Sequence, residues 1–142
     1  MATYFEGAIK QGTNPSEYGN DVGFSTFSRS VTLQAATVTN VDATIPVPKN
    51  CQILSITADS SVAWTAIGAV TFTAGITAGG TEYITTVDLK TVVRSAPTLT
   101  AAQVGAMANV GNNTSVVVRA NSASGANAVG TTVVTVLYAP KL

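Results

Sequence analysis

The chain has 142 residues, of which 46% are hydrophobic and 10% charged, where globular domains average about 25% charged. Seven basic and seven acidic residues cancel and lie singly along the chain, so no basic stripe exists to collect phosphates and nucleic acid is excluded as the main partner. Histidine is absent, which removes Ser-His-Asp and Cys-His chemistry together with the commonest ligand for zinc, copper and non-haem iron.

This length fits one domain, large enough to bury about 70% of its unfolded surface without staples. Cys51 is the single cysteine and reads as a small buried strand residue. The opening Met1-Ala2-Thr3-Tyr4-Phe5-Glu6 has neither a basic n-region nor an apolar h-region, which predicts synthesis and first folding in a cytoplasm. No apolar run approaches the roughly 20 residues that cross a bilayer, so no membrane partner is expected.

In residues 1–30, Gly7, Gly12, Gly19 and Gly23, with Asn14-Pro15 and Asn20-Asp21, interrupt any periodic pattern. Yet five of the nine aromatic residues lie there: Tyr4, Phe5, Tyr18, Phe24 and Phe27. Disordered tails are poor in aromatics, so residues 1–30 read as an extended arm that orders by packing on something. Its own domain and a neighbouring subunit both remain open as that surface. The five aromatics and Arg29 are the candidate contact residues, since aromatics and arginine are enriched at interface centres.

The remainder, 31–142, reads as one β domain. Strands are expected at Val31–Thr39 and Val41–Val47, the second ending at or lying on an edge because Pro46 has no backbone donor. Gln52–Ala58 follows, with Leu54, Ile56 and Ala58 on one face. Asp59-Ser60-Ser61 then reads as a turn before a segment carrying Trp64. Val70–Ile76 has the cleanest alternation, with Val70, Phe72, Ala74 and Ile76 on one side. Glu82–Leu89 is the next strand. Thr100-Ala101-Ala102-Gln103 matches a capping box, which predicts one short helix over about Ala101–Ala108. Ser115–Ala120 and Thr131–Tyr138 complete the set, the last with valines on both faces, as in a central strand covered on each side. The whole predicts an all-β, eight-stranded, two-sheet sandwich of jelly-roll type.

No constellation for catalysis emerges. The carboxylates Glu6, Glu17, Asp21, Asp42, Asp59, Glu82 and Asp88 are scattered and read as solvated surface groups. No glycine loop is followed by Lys-Ser/Thr, so there is no phosphate cradle, and no Asp-x-Asp-x-Asp run for calcium. Neither an enzyme activity nor a cofactor nor a metal is expected. Trp64 reads as a core residue, with carbohydrate stacking as the competing role.

The run from Ile45 to Ile56 (Ile-Pro-Val-Pro-Lys-Asn-Cys-Gln-Ile-Leu-Ser-Ile) resembles the strand, proline, turn and Ile-Leu-x-Ile pattern of small structural proteins of tailed bacteriophages. Val70–Gly75, Glu82-Tyr83-Ile84 and the closing Gly130–Tyr138 strand follow in the same order. Together they are similar to head decoration, or capsid cement, proteins, over residues 41–139 and without the arm. The resemblance implies a virion protein on the outer surface of the capsid that bridges adjacent major capsid protein subunits. It is expected to self-associate, as a homotrimer in preference to a homodimer. The other expectation is a receptor- or carbohydrate-binding sandwich on a phage tail or fibre, which requires Trp64 or Tyr83 exposed in a groove.

Overall fold

A computed structural model describes residues 25–91, 94–123 and 128–141. Among these residues, eight strands and one helix follow in the order β1 (Phe27–Val38), β2 (Asn40–Pro46), β3 (Cys51–Thr65), β4 (Val70–Gly75), β5 (Ile84–Asp88), β6 (Arg94–Ser95), α1 (Ala101–Ala108), β7 (Ser115–Ser122) and β8 (Ala128–Pro140). They form two four-stranded antiparallel sheets, β1-β8-β3-β6 and β2-β7-β4-β5. This is the strand order of a jelly roll, with most successive strands exchanging sheets.

Alternation explains the core. Val70, Phe72 and Ala74 of β4, Val116 and Val118 of β7, and Val134 and Val136 of β8 are all fully buried. Each fills the space between the sheets because side chains two apart share a face. On β2, Ile45 is buried, with Val41 and Ala43 partly so, and the strand ends at Pro46 on a sheet edge as expected, with Val47 just beyond it also buried. The Pro48-Lys49-Asn50 turn closes with Asn50 at φ 55°, a left-handed conformation that asparagine tolerates better than most residues.

α1 has the expected limits. The Thr100 side chain accepts from the Gln103 backbone N–H at 3.3 Å, and Gln103 Oε1 accepts from the Thr100 N–H at 2.9 Å, completing the capping box. Gln103 is itself buried and donates through Nε2 to Thr85 Oγ1 at 2.6 Å, which ties the helix to the β5 region.

Three expectations fail. β3 is one continuous strand through the expected Asp59-Ser60-Ser61 turn, with register shifts between Ile53 and Ser55 and again between Ser60 and Val62. Such bulges bend a strand without ending it. The first also splits the expected face: Cys51 and Ile53 are buried before it and Ile56 and Ala58 after it, while Leu54 is 41% exposed. Ser60 is not in a turn because its hydroxyl points inward and shares a 2.9 Å hydrogen bond with Thr132. β8 is central in its sheet, but only one face is covered: Ala128, Thr132, Val134, Val136 and Tyr138 are buried, whereas Thr131, Val133, Thr135 and Leu137 alternate with them on the outer side. Finally, Ile76 falls beyond β4 and is 39% exposed.

Candidate interaction surface

Of the six candidate contact residues, Tyr4, Phe5, Tyr18 and Phe24 lie outside the described residues. Phe27 and Arg29 are described, and they belong to β1, which begins four positions before the expected Val31 start. The strand forms there because its register with β8 is regular from Phe27↔Tyr138 to Ala35↔Gly130.

Register also fixes where the two side chains point. Phe27, Arg29, Val31, Leu33 and Ala35 share the face that meets the buried residues of β8, since Arg29 pairs with Val136 and Val31 with Val134. Leu33 and Ala35 are buried, yet Arg29 is exposed and Phe27 is 47% exposed. Among the described residues, the core-facing side of β1 is therefore uncovered at one end. Phe27 stacks on Tyr138 with ring centroids 5.8 Å apart, an offset contact favoured by the ring quadrupoles. Arg29 makes no salt bridge with any described residue.

β1 is an edge strand of one sheet and β2 an edge strand of the other; they pack against each other. The seam between them is lined by Phe27, Arg29 and Val31 on β1 and by the half-buried Val41 and Ala43 on β2. A charged residue on the inward side of an edge strand discourages indiscriminate edge-to-edge pairing.

The outer face of the β1-β8-β3-β6 sheet is hydroxyl-rich. Ser30 and Thr135 hydrogen-bond side chain to side chain at 2.8 Å across β1 and β8. The charges on this face, Asp59 and Arg94, pair with each other at 2.6 Å at the far edge. Val62 and Val129 are 52% and 45% exposed near the same end, and Ile67 in the following loop is 91% exposed. The expected turn at Asp59-Ser60-Ser61 hid the facing of Val62, which lies on the continuation of β3.

On the opposite sheet, Arg119 forms a bidentate pair with Asp42, Nε to Oδ1 at 2.6 Å and Nη2 to Oδ2 at 2.8 Å. The guanidinium hydrogen bond holds the Asp42 carboxyl below the usual carboxylate range. Asp88 accepts from the Lys90 N–H at 2.9 Å and Glu82 from the Ile76 N–H at 3.0 Å. Lys90 Nζ donates to the carbonyls of Ala66 and Gly68, fixing the loop that carries Ile67. All four carboxylates of the described residues thus serve local structure, and no group of three or more metal-ligating side chains occurs among those residues.

A cleft of about 290 Å³ between the β4–β5 connection and α1 is lined by Thr81, Glu82, Thr85, Thr100 and Gln103. Its polar atoms already bond one another through Gln103. Trp64 is 2% and Tyr83 1% exposed, so neither offers a ring to a sugar, and the carbohydrate-binding expectation loses the feature it required. Cys51 is a free, fully buried thiol whose pKa burial pushes up. No helix among the described residues is long and apolar enough to cross a membrane.

No family model matches the chain, and no curated protein matches it. Among solved structures it is similar to a chain of the capsid asymmetric unit of cyanophage Pam1, at 21% identity over 87% of this chain and 90% of that one, with a TM-score of 0.46. A likeness at that level specifies neither function nor partner.

Proposed function

We propose that this protein is a structural component of a phage particle, which decorates the outside of the capsid and stabilises it by bridging adjacent major capsid protein subunits. The observation that carries the reading is the presentation of Phe27 and Arg29 on the edge strand β1, next to the aromatic-rich segment 1–24. The first is an exposed aromatic, the second a guanidinium with no carboxylate partner among the described residues. Aromatic and arginine side chains dominate binding energy at protein interfaces. One further feature supports it: the sequence motifs from Ile45 to Tyr138 resemble those of capsid cement proteins.

Self-association belongs to the same reading, as a homotrimer in preference to a homodimer, which is what the resemblance to capsid cement proteins implies. Co-sedimentation with phage heads assembled without this chain tests the function. The full-length protein is expected to pellet with the heads, and the double variant Phe27→Ala, Arg29→Ala to bind at least tenfold more weakly. Equal recovery of both proteins with heads, or none of either, contradicts the reading.

A further inference from the structure

We infer that the seam between β1 and β2 is a docking site for residues 1–24 of a second copy of this chain. The inference rests on the self-association part of the function proposed above and names the surface that receives the segment. Three observations carry it.

The first is an incomplete sandwich. β1 and β2 are edge strands of different sheets that pair with β8 and β7 alone among the described residues. The apolar side chains between them, Phe27, Val31, Val41 and Ala43, are not fully covered. A segment laid along this side would find both apolar contacts and the unpaired backbone groups of an edge, as in strand addition.

The second is charge. Residues 1–24 contain Glu6, Glu17 and Asp21 against Lys10, a net charge of −2, while residues 25–142 contain six basic and four acidic residues, a net charge of +2. The neutral chain is thus divided into an acidic segment and a basic body. Arg29 stands in the seam without a carboxylate from any described residue. Segment and body of different copies attract, and a guanidinium takes a carboxylate in a planar, two-pronged contact.

The third is reach. Twenty-four residues span at most about 80 Å, and a seam as long as the 12-residue β1 is about 40 Å. Half the segment can leave one subunit while the rest runs the length of the next seam. Tyr4, Phe5, Tyr18 and Phe24 supply large apolar area to it.

A charge-swap experiment on full-length chains tests this. Arg29→Glu, and separately the triple variant Glu6→Lys, Glu17→Lys, Asp21→Lys, are each expected to weaken self-association at least tenfold in sedimentation velocity. A single chain that carries all four changes, Arg29→Glu with Glu6→Lys, Glu17→Lys and Asp21→Lys, is expected to recover it, because the lysine-bearing segment of every copy then meets the carboxylate introduced into the seam of its neighbour. Undiminished association of the Arg29→Glu chain, or failure of the fourfold variant to recover, overturns the proposal. In the unaltered protein, amide exchange on β1 is expected to slow at least tenfold as concentration rises through the association range; exchange on β1 that ignores concentration overturns it whatever the variants do. Head binding is measured separately, so loss of the capsid reading leaves a distinct signature: self-association through the seam without attachment to heads.

Discussion

The indole N–H of Trp64 donates to Thr132 Oγ1 at 2.7 Å, and Thr132 shares a second hydrogen bond of 2.9 Å with Ser60. This buried trio joins β3 to β8 within one sheet and fixes the tryptophan over Gly130, where a Cβ would overlap the indole ring. Thr132→Val leaves two buried polar groups unpaired and is expected to cost about 1–3 kcal/mol, read as a lower urea midpoint. Combining it with Trp64→Phe is expected to cost less than the sum of the single changes, since the donor then disappears with its acceptor.

Gly130→Ala is expected to destabilise by about 1–3 kcal/mol through overpacking against Trp64. Near-ultraviolet circular dichroism checks the cause: the tryptophan signal should change at this substitution and stay constant for Gly105→Ala, whose Cβ would meet nothing within 4 Å.

The Asp42–Arg119 pair gives a pH dependence of known sign. Asp42 has its pKa lowered in the folded protein, first by the Arg119 hydrogen bond. Its contribution is therefore complete above the unfolded carboxylate value, about 4, and is lost as pH falls through the lower folded value. Because both side chains are partly exposed, 39% for Asp42 and 27% for Arg119, the contribution is expected to be no more than about 1 kcal/mol. Urea titrations of the unaltered protein and of Asp42→Asn should differ at pH 7 and converge in acid.

Cys51 is fully buried, and burial raises its pKa. The thiolate is the reactive form, so native protein at pH 8 is expected to react with an aromatic disulfide at least a hundredfold more slowly than protein in denaturant. Comparable rates in the two conditions would place Cys51 at an accessible surface.

Legibility in the sequence followed the range of the determining contacts. β4 and α1 were readable because Val70, Phe72 and Ala74 alternate locally and the Thr100–Gln103 box closes within three residues. The course of β3 was not, because Asp59-Ser60-Ser61 has turn composition and only the partner Thr132, 72 residues away, turns Ser60 inward. Trp64 does read as a core residue and is buried, but the place that receives its ring, over the missing side chain of Gly130, lies 66 residues away. For the interaction surface, composition marked out Phe27 and Arg29, but their place on the inward side of an edge strand required the pairing with Tyr138 and Val136. The exposed trio Val62, Ile67 and Val129 had no local signal, since valine and isoleucine look alike in sequence whether a strand face is covered or not.

Cryo-electron microscopy of the phage heads tests the central claim most directly. Jelly-roll density is expected on the outer surface of the shell, each copy touching more than one major capsid protein subunit. A head whose shell is fully explained without this chain, or a particle that carries it only on the tail, would contradict the proposed role.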